Sequence, residues 1–354
     1  MKMALITDQH FGARGDHQVF DGFFRTFYDK IFFPVLDELE IKHVVDLGDT
    51  FDRRKFVNFL SLANAREYYF DKLAYRNISL DLLVGNHCTF YKNTNKINSP
   101  RLLLGEFPNV RIFEDATQVQ FDGLDILYVP WICADNYAAT KALIKSTIAE
   151  VVFGHLELDG FEMYRGQPCI GGESPATFNR FDQVFSGHFH HRATKGNITY
   201  LGNPYELTWS DYDDPRGFHI YDTDTRQLTF IKNPYRMFHK VIYDDTTDTD
   251  YRRLPVKGYA ERFVKVLVVN KTDFLKFDTF IDRLYQAGPT EIKIIENMTD
   301  YDEGALDDSI DVEDTPTMLA KYVDSTETDL DKTRLKSLLQ SLYVEAQSLE
   351  QSGA

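Results

Sequence analysis

The sequence predicts an α/β protein: a body of buried strands and flanking helices, followed by a small separate βαβ unit. Three observations lead there. Short apolar, β-branched runs alternate with longer stretches of helical periodicity. Five of these runs stop abruptly on polar residues of one chemical kind. Near Asn233-Pro234 the pattern changes to a strand–helix–strand segment that lacks those residues.

The first run, Ala4-Leu5-Ile6-Thr7, ends at Asp8 and His10. It is too short for a signal-peptide core, so it reads as a strand, and the protein is expected to be cytoplasmic. His17 to Glu40 reads as helical, with Phe20, Phe23, Phe24, Phe27, Tyr28, Ile31 and Phe32 at helical spacing and Pro34 as a break. That is more aromatic surface than one helix face holds. Core packing on the sheet accounts for most of it, and part is a candidate homodimer contact. Val44-Val45-Asp46-Leu47-Gly48 is the central strand, expected to present Asp49 unburied at the carboxyl edge of the sheet. A helix from about Val57 to Tyr75 leads to the run Leu82–Gly85 before Asn86 and His87. Two or three strands lie between Asn109 and Trp131, and a helix spans Ala134 to Ser146. Val151–Gly154 runs into His155, Val184–Gly187 runs into His188 and His190, and Ile198–Leu201 completes the sheet. Arg216 to Lys232 reads as a hairpin turning at Asp222-Thr223-Asp224-Thr225.

Residues 1–235 thus form the main domain. The small domain, 236–298, combines a strand at Arg262–Asn270, a helix at Thr272–Gln286 and a strand at Thr290–Glu296. It has no His or Cys between Val241 and Met298, which argues against metal chemistry there. Residues 299–314 are acidic and poor in large apolar side chains, as in a linker. Residues 315–354 show two amphipathic helical patterns, the first starting at Thr315-Pro316 with Met318, Leu319, Tyr322 and Val323 on one face. The second aligns Leu335, Leu338, Leu339, Leu342, Ala346 and Leu349. Stripes beyond a linker suit a groove on a partner.

No run resembles a membrane span. The three cysteines, Cys88, Cys133 and Cys169, show no paired spacing, which fits a reducing compartment and excludes a disulfide framework or a Cys-based zinc site. The net charge of −16 looks wrong for a partner of nucleic acid. Its distribution matters more: from Asp300 onward there are fourteen Asp/Glu against four Lys/Arg, so −10 of the −16 lies in the tail.

The strand ends gather Asp8, His10, Asp49, Asn86, His155, His188 and His190. Oxygen and nitrogen donors without thiolate favour Mn²⁺, Fe²⁺, Zn²⁺ or Mg²⁺, and seven donors exceed what one tetrahedral ion needs. Two ions are implied. At the separation of about 3.5–4 Å usual for such pairs, one carboxylate must bridge, and Asp49 is the best candidate. Two dications outweigh the carboxylates of Asp8 and Asp49, and a phosphodiester anion with a hydroxide would balance the surplus. His188 and His190, two apart on extended chain, point the same way and serve adjacent ions; Asp8 and His10 repeat the spacing.

Asp8-x-His10, Gly48-Asp49-x-x-Asp52, Gly85-Asn86-His87, Gly154-His155 and Gly187-His188-x-His190 resemble, in order, the motifs of calcineurin-like metallophosphoesterases. With Trp131 and Asn203-Pro204 the set is similar to the SbcD/Mre-type nucleases of that superfamily, among them those of T-even-type phages, whose setting is the host cytoplasm. The resemblance implies a two-sheet sandwich flanked by helices, a small capping domain and a helical tail. It implies that Asp8, His10, Asp49 and His190 hold one manganese ion and Asp49, Asn86, His155 and His188 the other. His87 would be the catalytic histidine, paired with Asp52, which would raise its pKa and keep it protonated toward the leaving oxygen. The activity implied is DNA exonuclease or endonuclease action in double-strand-break processing, with an SMC-like coiled-coil ATPase bound by the tail. Arg53, Lys265, Lys271 and Lys276 are candidate DNA contacts.

Cys88 departs from the pattern, which carries Asp or Glu after Asn-His. A thiol does not replace a carboxylate as a hydrogen-bond acceptor behind a metal ligand, and a weakened site is expected. Two other functions share these residues. One is a phosphatase or small-molecule phosphodiesterase, which Asp52-Arg53 echoes but which needs neither the extra domain nor the tail. The other is a catalytically weak recombination scaffold, for which Cys88 is the only argument.

Overall fold

The computed structural model describes residues 1–164 and 167–296 and, beyond them, Val323, Lys332, Arg334, Leu335 and Leu338. The acidic linker and the tail helices expected over 299–354 therefore fall, as elements, outside the described residues. The chain divides into two units, Met1–Ala305 and Leu306–Ala354, and every strand named below lies in the first.

In chain order the strands are β1 (Lys2–Ile6), β2 (His43–Asp46), β3 (Ser79–Leu83), β4 (Val110–Phe113), β5 (Thr117–Phe121) and β6 (Leu124–Val129). They continue with β7 (Val151–His155), β8 (Glu162–Tyr164), β9 (Gln167–Pro168), β10 (Gln183–Gly187), β11 (Ala193–Lys195) and β12 (Ile198–Tyr200). The last are β13 (Gly217–Asp222), β14 (Gln227–Lys232), β15 (Phe238–Asp244), β16 (Phe263–Asn270) and β17 (Glu291–Ile295). One six-stranded sheet runs β14-β13-β1-β2-β3-β4 and a second runs β11-β12-β10-β7-β6-β5. The inner strands of each are parallel and the antiparallel partners sit toward the edges. The hairpin β13–β14 turns where the sequence placed it.

Strand alternation builds the layers. Met3 and Leu5 of β1, and Val45 of β2 with Leu47 beyond it, join Ile126, Tyr128, Val151, Phe153 and Phe185 of the second sheet in a core between the sheets. Ala4, Ile6 and Val44 face the other way, into an aromatic core under the helices that precede β2 and β3. The outer face of the second sheet, through Leu127, Val152 and Val184, packs on Ile144 of the helix Tyr137–Ser146. The result is a helix–sheet–sheet–helix sandwich.

Pro34 does not break the first helix. Helical residues Gln18–Phe27 pass through a π turn at Tyr28–Phe32 into Phe33–Glu38, and Phe33 N–H reaches back to Tyr28 O. The ladder has already shifted by one residue when Pro34 arrives at the start of the last segment, where a missing N–H is tolerated. The helix before β3 has the same construction: Phe59–Ala65, a π turn at Arg66–Phe70, then Asp71–Tyr75. The wider turns explain how so many rings are buried at once. Phe20, Phe23, Phe24, Phe27, Tyr28 and Phe32 all lie in the core, with Tyr28 4.8 Å from Tyr69 and 5.5 Å from Tyr68 between ring centroids. The aromatic face is thus consumed internally, and these buried rings are not available for the homodimer contact expected from part of it.

The small βαβ unit gains a strand that the sequence reading lacked. β15, β16 and β17 form a parallel three-stranded sheet whose helix, Phe274–Gln286, is capped by Asp273. Val241, Tyr243, Val264, Val266, Phe277 and Phe280 form its own core. The first residues of β15 and β16 are tied to the larger body: Phe238 and Phe263 pack at a tilt against Phe20.

Candidate metal centre

Five strand ends converge where the two sheets meet. β1, β2 and β3 bring Asp8, His10, Asp49 and Asn86 from one sheet, while β7 and β10 bring His155, His188 and His190 from the other. Two groups form, Asp8/His10/His190 and Asp49/His155/His188, each with candidate ligand atoms within 4.8 Å of one another. Asn86 joins the second, its Oδ1 2.9 Å from His155 Nε2 and 3.0 Å from His188 Nδ1. His87 stands beside the first, its ring 4.9 Å from that of His10.

Asp49 is not presented as the sequence suggested. It is 1% exposed, because the second sheet closes over the strand end and sets His155 Nε2 3.2 Å from its Oδ2. Asp8 and His155 are equally sunk, and His87, His188 and His190 are the half-exposed side.

The donor chemistry fits cations. His155 Nδ1 donates to Leu47 O at 2.8 Å, so in the neutral ring Nε2 carries a lone pair. That lone pair faces Asp49 Oδ2 and Asn86 Oδ1, and three electron-pair donors meet around one point. In the other group His10 Nε2 and His190 Nε2 stand 3.1 Å apart, close to the separation of two nitrogens bound to one ion at about 2.0–2.1 Å. A proton is the only other relief. Burial opposes a charge on His155, yet Asp49 wins and lifts it to about 9, while burial and the neighbouring His155 push His188 down to about 3.

The backbone is strained to achieve this. Asp8 (φ 52°), His10 (46°), Asp49 (54°) and His188 (88°) all lie in the left-handed region that non-glycine residues avoid. Each costs about 1–2 kcal/mol, recovered from the surrounding structure. Close approach adds a demand on Gly85, where a Cβ would sit 2.1 Å from Asp49 Oδ1, so any side chain there displaces the carboxylate.

Several supporting residues were missed by sequence reasoning. Asp46, fully buried, accepts from Gln9 Nε2 and Thr50 Oγ1, both at 2.7 Å, and from Gly48 N at 3.0 Å. Gln9 sits between two candidate ligands and is held again by the Tyr28 hydroxyl on its side chain and by Tyr205 Oη on its carbonyl at 2.6 Å. Burial raises Asp46 to about 7. Its signal was a carboxylate inside an apolar run, which demands a hydrogen-bond network. Arg216, buried, holds the His190 carbonyl and the Asn203 side chain and pairs with Asp211 at 2.7 Å. Trp131, which the motif set did name, packs on His188, ring centroids 5.1 Å apart.

The support expected for His87 takes another form. His87 Nδ1 donates to the backbone carbonyl of Asp52 at 2.7 Å, and its own N–H bonds Asp49 Oδ1 at 2.8 Å. The Asp52 carboxylate lies 3.2 Å from His10 Nδ1, so its side chain orients a candidate ligand. Cys88 is fully buried behind Asp49, and burial, then Asp49, pushes its thiol up to about 12. The backbone amides of Phe51 and Thr50 point at the sulfur. They would serve a carboxylate well, so Cys88→Asp is expected to keep the protein folded and to hold or raise turnover with added metal. A steady-state assay with equal metal loading checks this, and loss of turnover in a folded variant would show that the thiol has its own role.

Among the basic candidates, Lys265 must be withdrawn as a surface contact. It is 6% exposed, its Nζ 4.1 Å from the centre of the Trp209 ring, because β16 turns that side chain toward the larger body. Lys271 pairs with Glu296 at 2.6 Å, Lys276 lies 3.8 Å from Asp273, and Arg53 pairs with Asp16 at 3.1 Å.

The family model for calcineurin-like phosphoesterases matches residues 1–192. Exonuclease subunit 1 of Enterobacteria phage T4 is 30% identical over 349 residues, covering 98% of this chain and 99% of that protein. Among solved structures, an archaeal phosphodiesterase aligns over its whole chain with 66% of this one, at 15% identity and a TM-score of 0.35. A dimetal phosphatase from Danio rerio aligns over 91% of its chain with 62% of this one, at 12% identity and a TM-score of 0.38. The family match spans all seven candidate ligands, and with the near full-length relative it shows that the chain belongs to the calcineurin-like phosphoesterases.

Proposed function

We propose that this protein is a two-metal DNA nuclease, using manganese, that processes double-strand ends for recombination beside an SMC-like coiled-coil ATPase. The observation that carries the reading is the pair of adjoining ligand groups, Asp8/His10/His190 and Asp49/His155/His188. The near full-length likeness to a phage protein named as an exonuclease subunit supports DNA as substrate and a partner in a complex.

In this reading Asp8, His10, Asp49 and His190 hold one ion, and Asp49, Asn86, His155 and His188 the other. Bound there, two divalent ions would polarise the phosphodiester and activate water. The chain's own groups do the rest. Leu47 O and the Asp52 carboxylate orient His155 and His10, and Asp49 keeps both groups in register. With Nδ1 donating to Asp52 O, the imidazolium form of His87 would carry its second proton on Nε2, for the leaving oxygen. Residues 236–298 act as a capping domain, with Lys271 and Lys276 as the remaining candidates for guiding duplex DNA.

Purified protein should cleave duplex or single-stranded DNA when Mn²⁺ is supplied and stop when it is chelated. Efficient hydrolysis of a phosphate monoester with no DNA cleavage would favour the phosphatase reading instead. The tail, 315–354, is assigned to the ATPase. Truncation near Thr315 should spare manganese-dependent cleavage but abolish co-purification with the ATPase and any ATP-dependent stimulation. A truncated chain that still co-purifies would move the docking site elsewhere.

A further inference from the structure

Two loops leave the metal centre side by side. One continues from Asp52 through Arg53, Arg54 and Lys55 to Phe56; the other continues from His87 through Cys88 and Thr89 to Phe90, Tyr91 and Lys92. Lys55 and Phe90 each follow a centre residue by three positions, so neither Cα is more than ~10 Å from it. The loops meet at their tips, where Lys55 Nζ lies 5.9 Å from the centre of the Phe90 ring. Phe90 and Tyr91 pack edge to face with ring centroids 4.8 Å apart, and Arg53 covers the Phe56 ring at 4.8 Å.

Exposed phenylalanines are rare among the described residues. Among the described residues only Phe56, Phe59, Phe90 and Phe274 are exposed phenylalanines, and two of the four stand on this rim. Phe56 is 59% exposed, Phe90 38% and Tyr91 37%. They are also held in place. Phe90 N–H bonds Ile97 O at 2.9 Å, and Arg54 Nε anchors the base of its loop through Asn86 O at 2.8 Å. The setting is basic within an acidic chain, with Lys55 and Lys92 both exposed.

Fixed, exposed rings interleaved with cations match the two repeating features of a single strand of nucleic acid, flat bases and a charged backbone. A buried duplex base has no free face to offer them. We infer that this rim is a stacking platform for unpaired nucleotides, with Phe90 and Tyr91 receiving bases and Lys55, Arg53 and Lys92 the flanking phosphates. The platform rests on the nuclease reading and adds a substrate feature: a strand end is separated from its complement before its phosphodiester reaches the metals.

The test is binding of fluorescein-labelled oligo-dT, followed by anisotropy with the full-length protein under metal conditions that block cleavage. Phe90→Ala/Tyr91→Ala should weaken binding by at least roughly five- to hundredfold, the range of one lost stacking contact. Phe90→Leu, apolar but not flat, should also weaken it, while Phe90→Trp should retain it. Hydrolysis of bis(p-nitrophenyl) phosphate, too small to span to the rings, reports whether each variant is folded and metal-loaded. Unchanged oligo-dT affinity in the double variant, or wild-type affinity in Phe90→Leu, would overturn the platform. Failure of the nuclease reading looks different: wild-type protein would hydrolyse the small diester yet leave DNA intact, and the binding comparison would still decide the platform.

Discussion

Asp49→Ala should abolish phosphodiester hydrolysis and lower bound metal at both positions, as measured by elemental analysis beside a turnover assay. The side chain is shared. Its Oδ2 faces His155 Nε2, its Oδ1 takes the His87 N–H, and its charge acts on both Asp8 and His10. Removing it leaves His155, His188 and Asn86 with no anion, and leaves the other group with Asp8 as its one ligating carboxylate. Affinity for a dication falls with each lost anionic donor, so both positions suffer. Two fully loaded ions in the variant would disprove the bridging assignment.

His87→Gln should separate chemistry from binding. The amide can still donate to the Asp52 carbonyl, and the backbone N–H that holds Asp49 is unchanged. Metal content should therefore stay at the wild-type level, while turnover falls by the ~10²–10⁴-fold typical of a lost general acid. A substrate with a good leaving group, such as a nitrophenyl diester, needs less protonation and should lose less than DNA does. An equal loss on both substrates, or loss of metal, would make His87 a ligand or a structural residue and remove it from the proton path.

What could be read from the sequence was local. Each strand end announces itself within ten residues, because an apolar β-branched run stopping on Gly, Asp, Asn or His is a pattern of neighbours. All seven candidate ligands were visible that way, and the structure brings all seven together. What escaped was set by contacts between distant segments. Asp49 is buried because His155, 106 positions on, closes over it. Asp52 could be foreseen near the centre, but its carboxylate's contact with His10 depends on how two loops fold across each other. Lys265 is the one charged residue of the strand Phe263–Asn270, where a lysine would ordinarily reach water, but Trp209 from the larger body packs against its ammonium. The π turns were hidden too, since one extra residue in a turn leaves little trace in a periodicity that is aromatic almost all round.

Those π turns make the first helix a spacer of fixed length. Each is equivalent to a single inserted residue, and the two meet where Tyr28 packs on Tyr69. Tyr28 also reaches from its turn to the side chain of Gln9, between Asp8 and His10. Deleting one residue from Tyr28–Phe32 would restore an ordinary helix with its hydrogen bonds intact, yet rotate everything beyond it by roughly 100° relative to what precedes it. The hydroxyl and the rings packed around it could not both keep their places. Chain length within one solvent-flanked helix is thereby coupled to the shape of the ligand loop, and homologous chains that shorten this helix would have to change residue 9 or its partners with it.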